Sequence, residues 1–194
     1  MQNLITDRVV ALASNSPRRR ELLGLIVPDF KIFKTPDVDE TYPADLRVIE
    51  VAPYLSRLKA EACRRYIQDD EIVITADTVV IVDDQILGKP HDAADARRML
   101  RLLSGRDHTV VTGFTLTSAS SAYTDSAHTT VTFDELSDEE IDYYIEHYKP
   151  FDKAGAYGIQ EWIGCIGIKR IEGSYYNVMG LPLHKLYKAL RAFA

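Results

Sequence analysis

Apolar residues fall along the chain in blocks of two kinds, some with helical spacing and some continuous. Val9 to Ala13 form a continuous apolar run with the length of a buried strand. Ser16-Pro17 follows as a helix start, a hydroxyl cap before the helical position where a missing N–H costs nothing, and Leu22, Leu23 and Ile26 recur at helical spacing. Phe30 to Thr35 alternates and predicts a short strand, which gives way to an acidic loop, Pro36-Asp37-Val38-Asp39-Glu40. A helix is expected from about Val51 to Ile67, with Pro53 in its first turn and Tyr54, Leu55, Leu58 and Ala62 on its buried face. Glu71 to Val82 is β-branched almost throughout, as in a strand buried on both sides.

The second half reads in the same way. Asp83-Asp84 turns the chain into Gln85-Ile86-Leu87, a hairpin that leaves through Gly88-Lys89-Pro90. Asp92 caps a helix with Ala96, Met99, Leu100 and Leu103 on one face and Ser104-Gly105 as its stop. His108–Thr117 and Tyr123–Phe133 predict two strands joined by a Ser/Ala turn. Ser137 to Glu140 is a capping box for a helix with Ile141, Tyr144, Ile145 and Tyr148 inward. Lys149 to Gln160 is a glycine-punctuated loop of the kind in which backbone approaches something closely. Cys165–Ile171 reads as a strand, Gly173–Leu183 as a second such loop, and Leu186, Leu190 and Phe193 as a closing helix. The order is mixed α/β, with parallel pairing early and antiparallel pairing in the middle.

Composition narrows the classes. The 194 residues fit one domain, 1–194, with 46% apolar and 27% charged residues, the balance of a soluble globule. A net charge of −6 with no basic tail argues against long nucleic acid as a partner. No apolar run approaches a membrane span, and Met1 to Leu4 lacks the pattern of a signal peptide. Cys63 and Cys165, far apart and without metal-type spacing, are expected as free thiols in the cytoplasm.

Candidate chemistry starts at the first strand-to-helix turn. Ser14, Ser16 and the three arginines 18–20 stand where backbone N–H groups of a helix start point outward, which suits a phosphate. A solvated basic turn is the alternative. Successive helical residues point about 100° apart, so Arg18 and Arg19 are the better ligands and Arg20 is expected in solvent. Asp77 interrupts the most apolar strand, where an ionised carboxylate needs a cation, a metal or solvent, unless it caps a nearby turn. Lys59, on the long helix, is either solvated or functional. His108 and His128 are expected as surface or hydrogen-bonded residues.

Several motifs taken in order resemble the Maf family of septum-formation-inhibitor-like nucleoside triphosphate pyrophosphatases. They are Ala13-Ser14-Asn15-Ser16-Pro17-Arg18-Arg19, Ala76-Asp77-Thr78-Val79-Val80, Gly88-Lys89-Pro90, Leu103 to His108, Asp152 to Gln160 and Gly173 to Leu183. Thr75 departs from the pattern, standing where a small residue such as Gly is expected. The resemblance implies a Maf/ITPase-like fold, a mixed twisted sheet flanked by helices in two lobes around a nucleotide cleft. It implies hydrolysis of a nucleoside triphosphate to monophosphate and pyrophosphate with a divalent cation, Mg²⁺ or Mn²⁺, and a homodimer.

By the same resemblance Asp77 is the catalytic base, Glu40 and Asp77 are metal ligands, and Lys59 and Lys89 join Ser14, Ser16 and Arg19 around phosphate. Arg18, Thr78 and Gln160 match the dTTP/UTP branch, with modified pyrimidine nucleotides as further substrates, rather than the 7-methyl-GTP branch. A glutamine amide offers donor and acceptor together, matching the imide edge of thymine or uracil. A nucleotide-binding regulator of cell division without catalysis and a nucleotidyltransferase are the rival readings. The second wants a Gly-rich first loop, which Ser14-Asn15-Ser16 is not.

Overall fold

A computed structural model describes residues 5–193; the segment read for the absence of a signal peptide, Met1 to Leu4, lies outside the described residues. Seven strands form one mixed sheet. They are β1 (Val9–Leu12), β2 (Lys31–Ile32), β3 (Glu71–Val82), β4 (Gln85–Leu87), β5 (Asp107–Thr117), β6 (Ala122–Phe133) and β7 (Ile168–Glu172). Their order is β2-β1-β3-β5-β6-β7, with β4 paired to β3. β1 lies parallel to β2 and β3, whereas β4 on β3 and β7 on β6 are antiparallel. The early pairing is therefore parallel, as the element order predicts, and the β3–β4 hairpin is antiparallel as expected.

Among the described residues seven α-helices accompany it: α1 (Pro17–Gly24), α2 (Val51–Arg64), α3 (Ala93–Leu103), α4 (Asp138–Tyr148), α5 (Trp162–Gly167), α6 (Tyr175–Met179) and α7 (Leu183–Ala192). No helix among the described residues is long and apolar enough to cross a membrane. The chain divides into two compact units, one of Met1–Asp77, Thr112–Ala127 and Gly180–Ala194, the other of Thr78–Val111 and His128–Met179.

In the first unit residues 10–12 of β1 and 71–77 of β3 are buried, and Ala11, Ala13, Cys63, Ile67 and Val73 form a small core with Phe33 against it. Burial pushes the Cys63 thiol up to about 11, so it stays protonated; both cysteines are free. The alternating segment after α1 pairs over only two residues, exposed at the sheet edge, before Pro36. In α2 the buried side is Val51, Ala52, Leu55, Ser56, Ala60 and Cys63, not the Tyr54–Leu58–Ala62 side. Small side chains there let the helix approach β5 so closely that a Cβ on Gly113 would stand 2.3 Å from the Pro53 backbone.

The core of the second unit joins Val80, Val82 and Leu87 of β3 and β4 to Met99, Leu100 and Leu103 of α3 and Ile141, Tyr144 and Ile145 of α4. Asp83 and Asp84 both take positive φ, 49° and 57°, as a two-residue hairpin turn requires. Asp92 caps α3, and Ser137 with Glu140 makes the expected capping box of α4. Tyr148 is exposed instead of inward, stacked on Tyr144. The segment read as a strand from Cys165 opens instead as helix α5, because Gly164 lets that turn fold directly onto the Ile159 carbonyl, where a Cβ would sit 1.9 Å away. Inside the second glycine loop lies the short helix α6.

His108 is buried, stacked on Phe133 and hydrogen-bonded through Nε2 to Tyr157 Oη at 2.7 Å. Burial lowers its pKa from 6.5 to about 4, with Asp107 opposing weakly. The folded state holds it neutral, so this stability is complete above pH 6.5 and is lost as pH falls from there towards 4. The linkage amounts to about 3 kcal/mol. Urea unfolding between pH 7.5 and 4.5 should show a steeper loss in the native protein than in His108→Gln. Parallel curves would mean that His108 does not titrate in this way.

Candidate functional site

Strand β1 ends at Leu12, and its backbone runs on into a turn whose hydroxyls are used locally. Ser14 Oγ accepts from Ser16 N–H at 3.2 Å, and Ser16 Oγ caps α1 by accepting from Arg19 N–H at 3.5 Å. Pro17 occupies the first helical position as expected. Arg18 and Arg19 follow, half-buried, while Arg20 is exposed and reaches back to the Ser14 carbonyl.

Arg19 is anchored rather than loose. Its Nε donates to the Gly180 carbonyl at 2.8 Å and its Nη1 to the Ala76 carbonyl at 2.9 Å, one residue before Asp77. Burial lowers its pKa, the Asp77 charge opposes that, Arg18 adds to it and Glu40 works against it. Two arginines and two carboxylates thus interact in one place.

Lys59 joins the two carboxylates. Its Nζ lies 2.5 Å from Asp77 Oδ1 and 3.0 Å from Glu40 Oε1. Lys59 and Asp77 are largely enclosed, whereas Glu40 is 55% exposed on its loop. Two carboxylates 37 positions apart in the chain share one ammonium supplied by α2. Lone charges at this depth would be costly; the triad compensates them.

A network of hydroxyls holds α2 in register with β3. Thr75 Oγ1 donates to the Ser56 carbonyl at 2.7 Å, and Ser56 Oγ lies 2.9 Å from Thr115 Oγ1, itself 3.0 Å from Thr124 Oγ1. Thr75 is two residues from Asp77, and Ser56 three from Lys59. The departure from a small residue at position 75 is therefore used: its hydroxyl ties the two elements that present the ion pair. The chain pattern marks Thr75 as unusual without indicating this partner.

Thr78, Lys89 and Gln160 belong to the second unit. Thr78 follows Asp77 on β3 and is half-buried. Lys89 is exposed at the hairpin exit and makes no ion pair with a carboxylate among the described residues. The Gly88 carbonyl beside it accepts from Gly155 N–H at 3.0 Å. Gly155 takes φ 69°, and a Cβ there would meet Val80 at 3.0 Å, so the close approach expected of this loop is to the sheet itself.

Gln160 is exposed in a turn whose ends are tied to the interior. Tyr144 Oη accepts from Gly158 N–H at 3.0 Å and donates to Glu161 Oε2, while Lys153 Nζ sits 3.0 Å from Glu161 Oε1 and 2.8 Å from Asp152 Oδ1. Burial and then the Glu161 carboxylate hold the Tyr144 hydroxyl in its protonated form. Sequence reasoning placed Tyr144 in the core and gave Lys153 and Glu161 no role.

Among the described residues no group of three or more His, Cys, Asp or Glu gathers as a metal site. Asp77 and Glu40 are a two-carboxylate set already holding a cation between them. Mg²⁺ is commonly bound by one or two carboxylates together with substrate phosphates, so this pair fits such an ion.

The model of the Maf-like protein family matches residues 9–193. The chain is 56% identical over 195 residues to a Porphyromonas gingivalis protein named dTTP/UTP pyrophosphatase, spanning 100% of this chain and 98% of that one. Proteins of the same name from Phocaeicola vulgatus (52% identity, 98% of each chain) and Parabacteroides distasonis (48%, 100% of each) are also similar. In fold the chain is similar to the Staphylococcus aureus Ham1 protein, with a TM-score of 0.58 at 16% identity over 96% of this chain and 100% of that one. A HAM1 protein from Coxiella burnetii gives 0.51 at 13% identity, over 95% and 99%. The sheet bears out the expected mixed α/β class, and with near-complete coverage of both the family and its relatives the chain belongs to the Maf-like protein family.

Proposed function

We propose that this protein hydrolyses dTTP and UTP to the monophosphate and pyrophosphate, in the cytoplasm. The observation that carries the reading is the Lys59 ammonium held between Asp77 and Glu40, with Arg18 and Arg19 beside them. Relatives named dTTP/UTP pyrophosphatase at 48–56% identity support the substrate class.

In this reading Asp77 is the base. Lys59 takes Oδ1 and leaves Oδ2 to accept a proton from water as the water oxygen bonds to the α-phosphorus. The bond from that phosphorus to the bridging oxygen breaks, and pyrophosphate leaves with the electron pair. Asp77, paired with the Lys59 ammonium, acts chiefly by aiming the water. Arg18 and the anchored charge of Arg19 face the anionic chain, with Ser14, Ser16, Lys59 and Lys89 as further phosphate partners. Asp77 and Glu40 would hold a divalent ion, Mg²⁺ or Mn²⁺, which when bound neutralises charge on the phosphates and the leaving group. Gln160, with Arg18 and Thr78, would select the pyrimidine.

Incubation of the purified protein and either cation with a panel of nucleoside triphosphates is the test. The expected products are dTMP or UMP with pyrophosphate in equal amounts, and purine triphosphates should turn over more slowly. Release of orthophosphate alone, a requirement for a second substrate, or no turnover would reject the reading.

A further inference from the structure

We infer that Tyr144, Glu161 and Lys153 form a clamp that fixes the turn carrying Gln160, and so act as positioning residues for the choice of base. The inference rests on the reading that Gln160 meets the base. The turn runs from Gly158 to Glu161 and is closed by Glu161 N–H donating to the Gly158 carbonyl at 3.0 Å. One hydroxyl holds both of its ends, since Tyr144 Oη accepts from Gly158 N–H and donates to Glu161. The Tyr144 ring is fully buried in the core of its unit, so the anchor is rigid.

The other carboxylate oxygen of Glu161 is taken by Lys153, whose side chain is only 9% exposed. The fit leaves no slack. A Cβ on Gly158 would stand 2.8 Å from Glu161 Cδ and 3.1 Å from Gln160 Nε2. Carboxylate and amide are thus pressed against the same glycine.

An enclosed Lys–Glu pair adds little net stability over apolar residues of similar size. Beneath a surface turn it has a better use. An exposed glutamine on a loose loop loses backbone and rotamer freedom on binding, which weakens its discrimination; a turn fixed beforehand avoids that loss. A base that fits the amide then gains both hydrogen bonds without the cost of ordering the turn, whereas one that does not leaves the amide unpaired.

The test compares Gln160→Ala, Tyr144→Phe and Glu161→Gln with the native protein, measuring kcat, KM and Tm with dTTP and dGTP. Gln160→Ala should lower the dTTP to dGTP ratio of kcat/KM. Tyr144→Phe should lower it by roughly tenfold through a raised KM for dTTP. Glu161→Gln, which keeps an acceptor for Tyr144 but no charge for Lys153, should fall between Tyr144→Phe and the native protein. A lowered Tm with an unchanged ratio in Tyr144→Phe and Glu161→Gln, while Gln160→Ala loses selectivity, would overturn the clamp alone. An unchanged ratio in Gln160→Ala would overturn the base reading, and the clamp with it.

Discussion

Asp77→Asn should keep the fold and lose roughly 10³-fold in kcat for dTTP, the range for removal of a positioned base. The variant is nearly isosteric. Its amide oxygen can still accept from Lys59, and Lys59 keeps Glu40 at 3.0 Å, so no ammonium is stranded. The stability cost should be about 1–2 kcal/mol, one charge-assisted hydrogen bond weakened to an ordinary one. What Asn cannot do is accept a proton from water. It also removes a negative charge beside Arg19 and Lys59, making their surroundings more attractive to a polyanion. Dissociation constants for dTTP without added metal should therefore stay the same or tighten while turnover collapses. Activity within a few-fold of the native protein would refute the base role, and a parallel loss of binding and turnover would assign Asp77 to substrate attachment instead.

Local order explains which parts of this architecture are legible in the chain. The buried face of α3 is carried by large apolar residues at helical spacing, and Asp92 and Gly105 bracket it, so pattern and structure coincide. For α2 the pattern misleads. Tyr54 and Leu58 look like a core face, yet the helix turns Ala52, Ser56 and Ala60 inward because β5 comes too near for anything larger. Hydrophobic size is a poor guide where backbone meets backbone.

The glycines of α5 mislead in a similar way, since close packing and not chain freedom is why Gly164 is there. At the site, Asp77 is conspicuous as the polar break in β3, and its need for a cation is readable. That the cation is Lys59, and that Glu40 shares it, follows from tertiary contacts between residues 18 and 19 positions apart. The motif resemblance singled out the three residues; periodicity could not have joined them. Thr75 and Tyr144 each have a polar tip whose partner is set by the fold alone.

Gly113→Ala should be among the most damaging single-methyl changes in the chain. The added carbon would sit 2.3 Å from both the nitrogen and Cα of Pro53 and 2.6 Å from the Ala52 carbonyl carbon. None of these atoms can rotate away, because all three are backbone in the first turn of α2. A glycine inside a strand often marks such an approach. Relief requires the helix to move bodily off β5, opening the contacts of Ala52 and Leu55 and stretching the Ser56–Thr115 hydrogen bond. Overpacking of this kind costs about 3 kcal/mol, a large part of the 5–15 kcal/mol that holds a domain folded. Urea unfolding should report that loss as a lowered midpoint with an unchanged slope. Activity should fall further than the unfolded fraction explains. Lys59 lies six residues along the helix from Pro53, and displacement of about 1 Å at a catalytic group can cost 10²-fold. A Gly113→Ala protein with native stability would mean that α2 does not lie against β5 as described. One with native turnover despite lost stability would separate the Lys59–Asp77 contact from the seating of its helix.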